Sequence, residues 1–384
     1  MGRPALFLAL ACVVAATAAS GSRAAGLVTH GTLLFVETDP RPAPQGRPPV
    51  LRVLSGNADR RMEVPYASEA RSIGVSPRGD RICYDRAVGG WPPSRSDILT
   101  ADLAGARATN LTEGLGGINC YPKWSPDGSM IAFTHAESRI PLMPCQAGFH
   151  AWVMRADGSQ AHAILPESQG PTFFASWSPD GSRVLLGRGF SNMKEDRAKR
   201  AGDQQQPVSV DLQGRNMRTL PHVGGEAAWS PDGTSIVSAD RRRGTVAGRA
   251  GWWNHLVLTD SRGRRPRVLV KQFIADADLR VAVGRGAARE ITQVLPEFDM
   301  EASTLGDVGP TKLVWSPGSN QIAFLAAMPF DPKGERSQIE VFIYDLSSKK
   351  LLRVTRDKLR PSSLAWIEAD MLRRIAPSKE RRRR

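Results

Sequence analysis

Apolar residues along this chain come in short runs, and the polar clusters between them repeat. Trp124 opens WSPDGSMIAF, Trp177 opens WSPDGSRVLL, Trp229 opens WSPDGTSIVS and Trp315 opens WSPGSNQIAF. Val75 opens a looser copy, VSPRGDRICY, and Trp366 a decayed one, WIEADML. In the Ser-Pro-Asp-Gly turn, Pro presets the second position of a type I turn. Asp suits the third position, and Gly accepts the positive φ that follows. Each copy therefore predicts a β-hairpin, with one strand ending at the Trp and the next starting two or three residues past the Gly.

A second pattern alternates with the first: apolar run, polar turn, apolar run. It recurs at 50–64, 98–111, 152–165, 208–220, 256–270 and 341–354. Two hairpins per repeat make a four-stranded antiparallel unit. The first pattern starts at 75, 124, 177, 229, 315 and 366, with spacings of 49, 53, 52, 86 and 51 residues. Both patterns occur six times. A lone four-stranded sheet cannot bury both faces, whereas a ring of them can. The expected fold is all-β, a six-bladed β-propeller of four-stranded antiparallel blades over residues 31–376. The run at 31–37 reads as a second strand with no first strand before it. Trp366 lies on a first strand with little after it, so ring closure is expected to combine N- and C-terminal strands; a strand at 372–376 is the alternative.

These phrases resemble the TolB-like repeat, a relative of WD-type propellers. The resemblance implies that Trp124, Asp127, Gly128, Trp177, Asp180, Gly181, Trp229, Asp232, Gly233, Trp315 and Trp366 serve packing and turn geometry rather than chemistry. About thirty residues precede the first expected strand, so the α/β domain that precedes the propeller in TolB itself is expected to be absent. Similar propellers also cap prolyl-oligopeptidase-type enzymes, but the chain carries no G-x-S-x-G elbow.

Residues 1–25 read as a secretory signal, with Arg3, an apolar stretch and small residues before the cleavage site. Lipidation at Cys12 is the less favoured alternative. The mature protein is expected to be periplasmic or secreted. In such a compartment Cys120 and Cys145, which flank one hairpin, either pair as a disulfide or stay separate; Cys83 reads as a buried thiol.

The formal net charge is +14, and residues 373–384 hold seven basic side chains against Glu380. A disordered basic tail at 377–384 is expected, either simply solvated or touching anionic membrane or polyanion. The connections between second and third strands are long, and two are basic: Arg188, Lys194, Arg197, Lys199 and Arg200 in the loop at 188–207, Arg241, Arg242 and Arg243 in the loop at 239–254. Trp252 and Trp253 end the second, and Trp91 lies in another. Arg forks carboxylates and Trp supplies anchoring area, so these residues form the candidate surface for an acidic protein or peptide. The alternative is that the two Trp start a strand and pack between blades. An insertion at about 272–311 is expected to flank the same face.

No nucleophile–base pair, metal spacing or phosphate loop stands out, so no catalytic residue, metal ligand or cofactor is assigned; a calcium ion in the channel is left open. The expected function is a non-catalytic extracytoplasmic binding or scaffold propeller. The competing readings are an enzyme or carbohydrate-binding protein acting in the central channel, where His135, His150, Glu226 and Glu301 are candidate polar groups, and an accessory subunit docked through the basic tail.

Overall fold

The computed structural model describes residues 28–38, 49–56, 58–68, 70–88, 95–137, 149–188, 207–224, 226–275, 311–327, 339–355 and 360–368. Within them the chain is almost wholly strand, with two short 3₁₀ turns at Pro65–Ser68 and Glu167–Gln169. The strands fall into consecutive antiparallel groups of four. The second group is β4 (Ala70–Val75), β5 (Arg81–Val88), β6 (Arg95–Asp102) and β7 (Thr109–Asn110). The third is β8 (Ile118–Trp124), β9 (Met130–Ala136), β10 (His150–Arg155) and β11 (His162–Ala163). The fourth is β12 (Thr172–Trp177), β13 (Arg183–Arg188), β14 (Val208–Asp211) and β15 (Arg218–Thr219). The fifth is β16 (Glu226–Trp229), β17 (Ser235–Val246), β18 (Arg249–Asp260) and β19 (Arg267–Ala275). The sixth is β20 (Thr311–Trp315), β21 (Gln321–Ala327), β22 (Ile339–Asp345) and β23 (Lys350–Arg353). The first is split: β24 (Arg360–Ile367) lies against β1 (Val28–Thr38), followed by β2 (Val50–Gly56) and β3 (Ala58–Met62). The second and third groups share one hydrogen-bonded sheet through a single parallel bridge, Ser96 to Ile118.

The repeated turns form as their sequence dictates. Gly128 has φ 75°, and its N–H donates to Ser125 O at 2.9 Å. Ser125 Oγ donates to Asp127 Oδ1 at 2.6 Å, Ser129 N–H to the same oxygen at 3.0 Å, and Met130 N–H to Ser125 Oγ at 2.9 Å. Ser178 with Asp180 and Ser230 with Asp232 repeat the arrangement. These aspartates are turn acceptors, and hydrogen bonds from neighbouring serines hold the carboxyls of Asp127 and Asp180 below the usual carboxylate range. Where the motif lacks its Asp, the acceptor moves. Ser76 donates to Asp80 and Ser316 to Asn320, each four residues on. After Trp315 the left-handed position passes from Gly to Ser319, at φ 56°.

Apolar layers fill the space between successive groups. Leu34, Val53 and Ile367 pack with Ile82 and Leu99. Cys83 and Ile98 meet Ile131 and Phe133, and Val153 meets Val184 and Val210. Leu185 meets Trp229 and Ile236, and Leu256 meets Phe324 and Phe342. Leu325 and Ile343 return to Leu33, Phe35 and Leu54. The repeat Trp does more than fill space. Trp177 Nε1–H donates to Lys123 O in the preceding group at 3.1 Å, and Trp315 Nε1–H to Ala228 O at 3.0 Å.

Candidate basic and aromatic binding ribbon

The sequence places a loop at 239–254, and the structure corrects this. β17 and β18 run on as paired strands through Arg243↔Trp252 to a tight turn after Val246↔Arg249. Ala247, at φ 49°, and Gly248, at φ 77°, supply that turn, the left-handed pair that a two-residue hairpin needs. β19 supports the ribbon from the other side as far as Gly251↔Ala275. Residues 272–275, expected in the insertion, therefore belong to this strand. β16 pairs only with Ile236–Ala239, so the ribbon extends beyond the four-stranded body of its group.

Strand alternation sends the two tryptophans to opposite faces. On one face the Arg243 guanidinium sits 4.7 Å from the Trp252 ring. On the other, Lys271 Nζ lies 4.1 Å from the Trp253 ring, which also packs against Phe273 at 5.1 Å and stacks on His255 at 6.1 Å. Both tryptophans are partly exposed, while Arg242, Arg243 and Lys271 are exposed. Neither Trp is consumed by packing between groups, and each carries a cation on its ring. Such pairs contribute about 0.5–1 kcal/mol at exposed sites and leave the charge in water. Gly244 makes room for this: a Cβ there would sit 2.7 Å from Trp253 Cδ1.

Below Trp253 the same sheet face opens into a groove of about 270 Å³ lined by His222, Asp240, Arg242, His255, Val257, Pro266 and Val268. Val268 is 53% exposed. Arg242 Nε donates to Asp240 Oδ2 at 2.7 Å, and His255 Nδ1 lies 3.9 Å from the same oxygen. The His255 imidazole, then Arg242, hold the Asp240 carboxyl low. The groove thus pairs an apolar floor with a basic rim.

The other candidates are not brought to this ribbon. Arg188 ends β13, where its Nη2 donates to Gln169 O at 2.9 Å. Arg241 is on β17 opposite Asn254. Trp91, Lys194, Arg197, Lys199 and Arg200 lie outside the described residues, as do residues 1–25, Cys12, the rest of the insertion at 276–310 with Glu301, the 372–376 alternative strand and the 377–384 tail. Cys120 is buried, and Cys145 lies outside the described residues, so the expected pairing does too. Among the channel candidates, His135 and His150 face each other on β9 and β10, and Glu226 starts β16. Sequence reasoning missed Lys271 and Phe273, whose alternation along β19 was the available signal. It also missed Tyr121, Lys123 and Lys312 on inner strands. Among the described residues no three His, Cys, Asp or Glu side chains gather as a metal set, and no helix is long and apolar enough to cross a membrane.

Solved structures similar to this chain include β-propeller proteins. A TolB structure from Agrobacterium tumefaciens is 13% identical, covering 85% of this chain and 89% of that one, with a TM-score of 0.47. A chain from the nidogen–laminin complex is 12% identical, covering 87% of this chain and 97% of that one, with a TM-score of 0.50. Dipeptidyl-peptidase 5 of Porphyromonas gingivalis is 30% identical over 121 residues, 29% of this chain but 16% of that enzyme. No family model matches the chain.

Proposed function

We propose that this is a six-bladed propeller, closed by β24 against β1, that works outside the cytoplasm and binds an acidic protein or peptide segment through the β17–β19 ribbon. The closed ring draws its support from the apolar layers, which run from each group to the next and return from the sixth to the first. The binding reading rests on one observation above all: two tryptophans on opposite faces of a projecting ribbon, each topped by a cation. Trp and Arg are the residue types that dominate binding energy at protein interfaces. An acidic segment on the Trp253 face would meet Arg242 and Lys271 while an apolar side chain enters the groove over Val257 and Val268, and Arg243 with Trp252 would hold whatever part of the partner reaches the other face. The Arg188–Arg200 connection and the basic tail would add long-range attraction, and the signal at 1–25 would deliver the chain to its compartment.

A peptide array with acidic, neutral and basic sequences tests this directly. The wild-type chain should retain acidic peptides carrying an apolar residue, and the double variant W252A/W253A should lose them while keeping its thermal midpoint. Equal retention by both proteins would remove the ribbon from the binding reading. A second reading, peptidase chemistry in the central channel, draws on the short match to dipeptidyl-peptidase 5; turnover of dipeptidyl substrates by the purified chain would favour it.

A further inference from the structure

The inner strands carry a feature that the ribbon does not use. Three of them, β8, β20 and β24, contain a bulge three residues before the repeat Trp. Each puts a non-glycine residue in the left-handed region: Tyr121 at φ 58°, Lys312 at φ 54° and Ser363 at φ 52°. For an L-residue with a Cβ this conformation costs about 1–2 kcal/mol, and such strain gathers where a fold positions functional groups.

Two of these bulges meet. Lys312 Nζ on β20 lies 4.0 Å from the Tyr121 ring on β8. β8 belongs to the third group and β20 to the sixth, so this contact crosses the middle of the molecule rather than joining neighbours. Between them, on β16, Glu226 Oε1 accepts the backbone N–H of Lys312. From β8, Lys123 Nζ reaches Ala175 O on β12 at 3.3 Å. Burial, and then repulsion from Lys312, lower the Lys123 ammonium against the attraction of Glu226, while against its own burial Tyr121, Glu226 and Asp85 hold the Lys312 ammonium up. One layer back on β5, burial raises the Asp85 carboxyl, and the N–H groups of Ser72 and Tyr121 donate to its two oxygens at 2.7 and 3.2 Å. Tyr121, Lys123, Glu226 and Lys312 are each only partly buried.

We propose that Lys123 and Lys312, with Tyr121 as a wall and Glu226 as the counter-charge, form a central site for a single small carboxylate. Glu226 and, behind Tyr121, Asp85 face these two ammonium groups, and burial disfavours the charged form of Asp85, so one further negative charge on the open side completes the balance. A dianion would press against Glu226 in a low-dielectric setting. Lysine offers point charges with rotatable donors, which can follow a carboxylate entering along the axis.

Isothermal titration at neutral pH and fixed ionic strength, using the full chain, tests the site with three probes: acetate, inorganic phosphate and the neutral N-acetylglycine amide. Acetate should bind saturably. K123M and K312M should each weaken it about tenfold or more, as expected for losing a hydrogen bond to a charged group. E226Q keeps the oxygen that accepts the Lys312 N–H and removes the competing charge, so it should tighten acetate binding severalfold. Phosphate should bind more weakly than acetate, and the amide not at all. Phosphate binding as tight as acetate, or amide binding, overturns the carboxylate assignment. Absence of saturable acetate binding, or one affinity in every variant, overturns the site and leaves the cluster as a pin across the axis. If the lysine variants do not fold, E226Q decides alone: tightening supports the site, and no change or weakening overturns it. W252A/W253A should leave acetate binding untouched, which separates this site from the ribbon.

Discussion

Replacing Trp315 with Phe removes a single polar contact between two groups of strands and little else. The indole is 7% exposed, and its N–H donates to Ala228 O at 3.0 Å. Losing a buried hydrogen bond while its acceptor stays out of water costs roughly 1–3 kcal/mol. The smaller ring leaves a void worth about 1 kcal/mol more, if neighbours relax only in part. The expected loss is therefore about 2–4 kcal/mol, read as a fall in the midpoint of urea unfolding at unchanged slope. Trp124 supplies the internal control. It occupies the same place in its repeat, but its Nε1 has no hydrogen-bond partner among the described residues. Trp124→Phe should keep only the packing cost, about 1 kcal/mol, offset by no longer burying an unsatisfied donor. A Trp315→Phe loss below about 0.5 kcal/mol, the scatter of neutral surface changes, would refute the reasoning. So would equal losses in the two variants.

Trp253→Ala should cut retention of acidic peptides at least tenfold in the array while lowering the thermal midpoint little, because the ring is partly exposed; a large stability loss would mean it is core. Desolvation, then neighbouring His150, lowers the buried His135 from its ordinary 6.5 to about 4. The unfolded chain then takes up a proton that the folded chain refuses, so stability is complete above about 6.5 and falls as pH drops toward about 4. Urea midpoints across that window should lose part of their slope in H135Q. Cys83 is fully buried, and burial pushes its thiol well above the ordinary range; alkylation of Cys83 followed by peptide mass analysis should find it unmodified in the native protein and modified in urea.

The hairpin turns were legible because their chemistry is local: Ser, Pro, Asp and Gly within four residues determine which N–H meets which oxygen. The strands beside them were legible for the same reason. What the repeat Trp bonds to was not, because Lys123 O and Ala228 O lie some fifty and nearly ninety residues away and belong to a neighbouring sheet. The stretch at 239–254 was misread as a loop because Arg241, Arg242, Arg243 and Gly244 show no alternation of apolar and polar residues. Their strand is held by cross-strand partners, Trp252 and Trp253, and by β19 beyond them. Lys312 looked like an ordinary polar residue before an apolar run; its contact with Tyr121 joins strands of the third and sixth groups, which no local pattern announces.

The pairing of β24 with β1 has a consequence for synthesis. Phe35 and Leu364 are partners in that ladder, and the Trp366 indole reaches His30 O at 2.8 Å. While the chain is being made, β1 must wait for more than three hundred residues before its second edge is covered. Through that interval it offers an apolar strand with open amide and carbonyl groups, the kind of edge that recruits other chains. Contacts of such sequence separation also form slowly. A chain stopped before residue 360 should therefore aggregate through its first strands, and a circular permutant opened between two later groups should shorten that wait.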